Sequence, residues 1–161
     1  MSLRIVEARS LVELSELALE WTASEIMEQN PKLVFLRGKM GSGKTTFVSK
    51  VADVLGASGA ASPSFALHTR YLGIRGSIDH FDLDRLTSAD DLESIGFWDI
   101  VREVAEDTAN GAGRFLMIEW AERLEEFGAS TEGNPWTSKF RGWNFHFEGP
   151  PQHRVRFGAF V

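Results

Sequence analysis

The apolar positions of this chain change period repeatedly, and each change marks an element. Residues 3–6 are a short apolar run that reads as a strand. Leu11, Leu14, Leu17, Ala18, Trp21, Ile26 and Met27 then recur at helical spacing and predict an amphipathic helix over 11–29. Ser10 stands three residues before Glu13, the spacing of a capping box, and Asn30-Pro31 ends the helix. Leu33-Val34-Phe35-Leu36 reads as a buried strand. After a glycine-rich break, Phe47, Val48, Val51 and Leu55 return to the helical period, with Gly56 as C-cap.

Two further strands are expected over 65–71 and 77–82, joined around Gly73-Ile74-Arg75-Gly76. Ser88 caps a short helix over 89–95, Gly96 breaks it, and a second helix is expected over 97–107. Residues 114–119 are an apolar strand ending in a carboxylate, and 120–127 turn helical. The character then changes. Residues 128–139 read as loop. Trp143, Phe145 and Phe147 alternate with Asn144 and His146, and Val155 and Phe157 alternate with Arg154 and Arg156. Gly149-Pro150-Pro151 lies between them, so the tail predicts an antiparallel hairpin at a sheet edge, with one packed face. Helices alternating with strands predict one α/β domain over 1–161, with 128–161 a divergent tail. The expected form is a three-layer sandwich with a mostly parallel central sheet, helices on both faces, and ligands at the C-terminal strand ends.

The break after the second strand carries the strongest chemistry. Gly38-Lys39-Met40-Gly41-Ser42-Gly43-Lys44-Thr45 is a complete G-x-x-x-x-G-K-[ST] phosphate loop, set between a strand and a helix as the motif requires. The fold expected is therefore P-loop NTPase-like. Gly41, Ser42, Gly43, Lys44, Thr45 and Thr46 would wrap the phosphates of ATP with backbone N–H groups and the positive end of the helix. Lys44 would reach the β and γ phosphates, and the Thr45 hydroxyl would bind Mg²⁺.

Other polar groups become interesting beside that loop. His80, Asp82 and Asp84 share a face while the chain stays extended, near a strand end. They read as groups near the phosphates, as a solvated, capping strand end, or as a His-plus-carboxylates metal site. Glu119 ends an apolar strand in the manner of a Walker B acid, which holds Mg²⁺ through water or orients the attacking water. Trp120 follows it, either beside the nucleotide or as packing. Ser62-Pro63-Ser64-Phe65 is either a plain turn or a segment that senses the γ-phosphate. Arg70, Arg75 and Arg85 are candidates for stabilising transferred charge. The tail aromatics with Lys139, Arg141, Arg154 and Arg156 read as a packed hairpin or an RNA-stacking surface.

Composition narrows these readings. At 161 residues with 43% hydrophobic and 25% charged residues, the chain is ordinary globular material. It has no cysteine, which removes disulfides, thiolate catalysis and cysteine zinc sites and suits a reducing cytoplasm. No apolar stretch approaches the ~20 residues of a membrane span, and no signal peptide is read at the N-terminus. A net charge of −6 argues against an unaided grip on DNA or RNA.

In order, LRGKMGSGKTTFVSKVADVLG, SPSFAL, HFDLDRL, DDLESIG and FLMIEWAERL resemble the TsaE family, the ATPase component of bacterial tRNA threonylcarbamoyladenosine modification. The resemblance runs from Ser10 to Leu124. It implies ATP and Mg²⁺ on residues 41–46, a switch at the SPSF segment, functional acids at Asp82 and Glu119 with Glu119 on the magnesium side, and Trp120 in a second switch. It also implies slow ATP hydrolysis in a complex with two partner proteins. These carry out threonylcarbamoyl transfer to the adenosine beside the anticodon, so tRNA is met only through them. Ser64 stands where Thr is usual, and Asp84 where Tyr is common. Two other functions remain open, a small-molecule kinase and a nucleotide switch without turnover. A kinase needs an acceptor pocket and an arginine-bearing lid, for which only residues 111–113 and the tail are available. The absence of N-K-x-D argues against a GTPase.

Overall fold

The computed structural model describes residues 3–57, 67–107, 113–129 and 135–160. Seven strands form a single sheet: β1 (Arg4–Glu7), β2 (Lys32–Arg37), β3 (His68–Gly73), β4 (Gly76–Asp82), β5 (Arg114–Glu119), β6 (Arg141–Glu148) and β7 (Arg154–Phe160), in the order β1-β7-β6-β2-β5-β4-β3. The four central strands, β6, β2, β5 and β4, are parallel, and antiparallel partners flank them on both sides. Parallel character is thus confined to the centre of the sheet.

The helices are α1 (Leu11–Glu25), α2 (Lys44–Leu55), α3 (Ala89–Ser94), α4 (Phe97–Glu106) and α5 (Glu122–Glu126). One sheet face packs against α1 and α2, where Val34, Leu36, Phe115, Met117 and Phe145 meet Leu17, Trp21, Phe47 and Val51. The opposite face packs against α3, α4 and α5, where Leu33, Phe35, Phe81 and Ile118 meet Leu92, Phe97, Val101 and Leu124. Coverage on both faces explains why β2 and β5 are apolar at consecutive positions rather than alternately. Each such fully buried side chain contributes ~1.5–3 kcal/mol.

The capping box at Ser10 and Glu13 forms as expected, but α1 stops at Glu25, short of residue 29. Met27 is 80% exposed, so the apolar stripe gives the last turn nothing to pack on. Glu25 itself is buried and accepts hydrogen bonds from Arg141 Nε at 2.7 Å and Trp143 Nε1 at 3.0 Å. That ties the end of α1 to the start of β6.

The expectation of an edge hairpin in the tail is corrected. β6 lies between β2 and β7, and β7 lies between β6 and β1. Aromatic packing draws the tail inward. The Trp21 ring meets Phe47 at 5.8 Å, Trp143 at 5.9 Å and Phe145 at 5.2 Å, and Phe145 stacks on Phe157 at 4.8 Å. Each pair adds ~0.5–1.5 kcal/mol beyond burial. These aromatics are occupied in the core, and Arg141, Arg156 and Lys139 pair with Glu25, Glu148 and Glu106. The tail is a packed part of the sheet, as one of its two readings held.

Candidate functional site

Because β2, β4 and β5 are parallel, their C-terminal ends lie on the same edge of the sheet, beneath the loop 38–43. Backbone bonds lock the ends together. Trp120 N–H donates to the Leu36 carbonyl at 3.0 Å, and Leu83 N–H donates to the Glu119 carbonyl at 3.2 Å. Gly38 has φ +136°, and a Cβ there would lie 2.4 Å from the Phe147 carbonyl oxygen of β6. Only glycine fits that approach. Gly43, with φ +108°, turns the chain into α2.

Lys44, the first residue of α2, is 4% exposed. Its Nζ donates to the Gly38 carbonyl at 2.6 Å and the Lys39 carbonyl at 3.0 Å, and lies 4.4 Å from the centre of the Trp120 ring. Burial lowers its pKa, against the opposing pull of Glu119, Glu122, Asp82 and Asp84. Trp120 holds a left-handed φ of +57°, which is strained for a bulky side chain.

Thr45 Oγ1 donates to Glu119 Oε2 at 3.0 Å, and His80 Nε2 lies 2.9 Å from Glu119 Oε1. Asp82 is the register partner of Glu119 on the neighbouring strand. Burial raises the pKa of Asp82, with the Glu119 charge acting in the same sense and a 3.1 Å bond from the Asp84 N–H acting against it.

The predicted Gly41, Ser42, Gly43, Lys44, Thr45, Thr46, Asp82, Glu119 and Trp120 all line one cavity of about 230 Å³, which Asp84 also borders. Ser42 Oγ is buried without a hydrogen-bond partner among the described residues. A second cavity, of about 350 Å³, opens on the other side of the loop between Met40, Phe147, Gly149 and Gln152.

Other expected groups lie elsewhere. Arg70 donates to Asp79 at 2.7 Å and pairs with Glu103 of α4, on the sheet face opposite α2. Arg75 sits in the β3–β4 turn, at the far end of β4 from Asp82. Arg85 follows the strand end that carries Asp82, one residue after Asp84. Residues 62–65 lie outside the described residues. Among the described residues no three His, Asp or Glu side chains converge as a metal cage; His80 is bonded to Glu119 instead.

Sequence reasoning missed two connections. One is the His80–Glu119 bond, whose signal was the parallel pairing of two strands that both end in an acid. The other is Asp79, fully buried, hydrogen-bonded to His68 and ion-paired to Arg70 and Arg114.

A family model described as threonylcarbamoyl adenosine biosynthesis protein TsaE matches residues 12–141. The chain belongs to the TsaE family. A protein of Aquifex aeolicus named tRNA threonylcarbamoyladenosine biosynthesis protein TsaE is 38% identical over 106 residues, 63% of this chain and 68% of that one. Its namesake in Borreliella burgdorferi is 32% identical over 91 residues, 56% and 61% of the two chains. That of Rickettsia conorii is 32% identical over 95 residues, 58% and 49%. This TsaE chain therefore spans about half to two thirds of the length of these relatives. The TsaE match takes in the loop, Asp82 and Glu119, and stops at Arg141, the first residue of β6.

Proposed function

We propose that this TsaE chain is a P-loop ATPase of the three-layer type, binding ATP with Mg²⁺ and hydrolysing it slowly. It would work within a multiprotein complex that transfers a threonylcarbamoyl group to the adenosine beside the tRNA anticodon. The observation that carries the reading is the convergence of Lys44, Thr45, Asp82 and Glu119 on one cavity at the strand ends. The TsaE relatives are named for threonylcarbamoyladenosine biosynthesis in tRNA, which supplies the pathway. A net charge of −6 leaves the tRNA to be held by the partner proteins.

The residues fit the cargo. Ser42 Oγ is a buried donor without a partner among the described residues, beside a loop whose glycine backbone suits an anion. Thr45 and Glu119 offer hard oxygen ligands 3.0 Å apart, the type that suits magnesium. When bound there, Mg²⁺ would neutralise phosphate charge. Lys44 would exchange its two carbonyl partners for phosphate oxygens while Trp120 keeps water from its other side. Asp82, whose burial raises its pKa, would accept a hydrogen bond from the attacking water and orient it. Bond cleavage then yields ADP and inorganic phosphate, the water supplying the fourth phosphate oxygen.

For the kinase reading, the part of the tail in β6 and β7 is built into the sheet and offers no lid. Residues 111 and 112 lie outside the described residues. Phosphate release from ATP decides the matter, measured with Mg²⁺ or EDTA, with and without the partner proteins. Slow magnesium-dependent release that the partners accelerate is expected. Absence of release with partners present, despite tight ATP binding, would favour a switch without turnover.

A further inference from the structure

We infer that His80 is a positioning residue for Glu119, holding one carboxylate oxygen so that the other stays turned toward Thr45 and the phosphate loop. The inference rests on the reading of this cavity as a magnesium–nucleotide site. His80 itself is not among the groups lining the cavity.

The geometry arises from register. β4 and β5 run parallel with His80 opposite Met117 and Asp82 opposite Glu119. His80 therefore points to the same sheet face as Glu119, one pleat behind it. From there its Nε2 meets Oε1 at 2.9 Å, while Thr45 Oγ1 meets Oε2 at 3.0 Å. The His80 side chain is 6% exposed and that of Glu119 3%, so little water competes for the bond between them. A carboxylate only accepts, so the proton between them lies on Nε2 of the ring.

Two donors on two different oxygens fix both the position and the plane of the carboxylate. Without His80, Glu119 keeps one anchor, Thr45, and that anchor is the hydroxyl expected to turn to the metal. The carboxylate would then have to be ordered again in each cycle. A buried Oε1 left without a partner is also unfavourable, the more so when charged. Supporting groups of this kind change metal affinity by ~10–100-fold when removed. Packing alone does not account for the residue. Among the described residues its ring neighbour is Tyr71, 6.2 Å away at a tilt, and a phenyl ring would serve there equally well.

The test compares three substitutions. His80→Phe keeps the ring and deletes the donor. His80→Asn keeps a donor that is too short to reach Oε1. His80→Gln places an amide N–H near the position of Nε2. The magnesium concentration giving half-maximal ATP turnover should rise ~10-fold or more in His80→Phe and His80→Asn and return toward wild type in His80→Gln. ATP affinity in EDTA should stay unchanged in all three. Should His80→Phe fail to fold, the difference between Asn and Gln carries the comparison. An independent readout needs neither metal nor nucleotide. Ring ¹⁵N NMR of the free protein should show His80 protonated on Nε2, with that proton shifting in Glu119→Gln. Wild-type magnesium curves in both His80→Phe and His80→Asn, or a ring protonated on Nδ1 alone, would overturn the inference. Failure of the wild-type protein to bind Mg–ATP would instead overturn the site reading, while the NMR result still reports whether His80 holds Glu119.

Discussion

Asp82 and Glu119 are register partners at the ends of β4 and β5, yet their carboxylates are held in different ways. Glu119 takes a bond from Thr45 and one from His80, whereas Asp82 takes one from the Asp84 backbone. One acid is tied to the first turn of α2 and the other faces the cavity more freely. Asp82→Asn should therefore keep Mg–ATP binding and slow turnover by ~10²-fold or more, the scale of losing a positioned acid–base group. Glu119→Gln should slow it as much and also shift the magnesium requirement. Single-turnover hydrolysis across a magnesium titration separates the two. A wild-type rate in either variant, alone and with partners, would remove that residue from catalysis.

Lys44 spends its ammonium on two carbonyls of its own loop. Lys44→Ala should thus leave the loop less tightly wrapped as well as less charged. Calorimetry should show ATP affinity reduced by ~10-fold or more, the loss of at least one charge-assisted bond. Unchanged affinity would refute the phosphate role.

Trp120 lies 4.4 Å from Lys44 and borders the cavity, whereas Trp21, Trp98, Trp136 and Trp143 pack among other rings. Adding Mg–ATP should change the tryptophan emission of the wild-type protein, and Trp120→Phe should abolish most of that change. A full response in Trp120→Phe would assign the signal to another ring.

Asp79 supplies a pH dependence. Burial alone would raise its pKa, but hydrogen bonds from His68 and Arg70 and the charges of Arg70 and Arg114 hold it below the usual carboxylate range. A depressed carboxylate stabilises the fold above its unfolded pKa, and that contribution fades as pH falls through the lower native value. Stability followed by urea unfolding should decline below ~pH 4. Asp79→Asn should lose stability at neutral pH, by less than the ~3–5 kcal/mol of a buried charge left without any partner, because Arg114 keeps Glu103 and Asp107. The same variant should show a flatter acid limb. An acid limb as steep as that of wild type would place the dependence elsewhere.

The loop and both acids were legible because each is a local signal: a fixed spacing of glycines, and an apolar run ending in a carboxylate. The networks were not. His80 and Glu119 are 39 residues apart, and Arg114 and Asp79 are 35 apart, so nothing short of the strand pairing joins them. Arg70 looked free for transferred charge because Asp79 meets it only across the β3–β4 register and Glu103 only through the packing of α4. The tail was misplaced for a different reason. Alternation at Trp143, Phe145 and Phe147 reports what lies above and below a strand, not what lies beside it. A strand can have one wet face and still sit inside a sheet.

Gly38 touching the Phe147 carbonyl gives the tail a structural duty toward the motif. A chain trimmed to the stretch matched by the family, residues 12–141, would retain every residue of the phosphate loop. It would also strip β2 of its neighbour on one side, opening a row of unpaired N–H and C=O groups along the strand that feeds that loop. Trp21 and Phe47 would lose Phe145 from above them. Such a fragment should self-associate rather than bind nucleotide, so the shortest working unit of this chain is set by sheet closure and not by the extent of the recognisable motif.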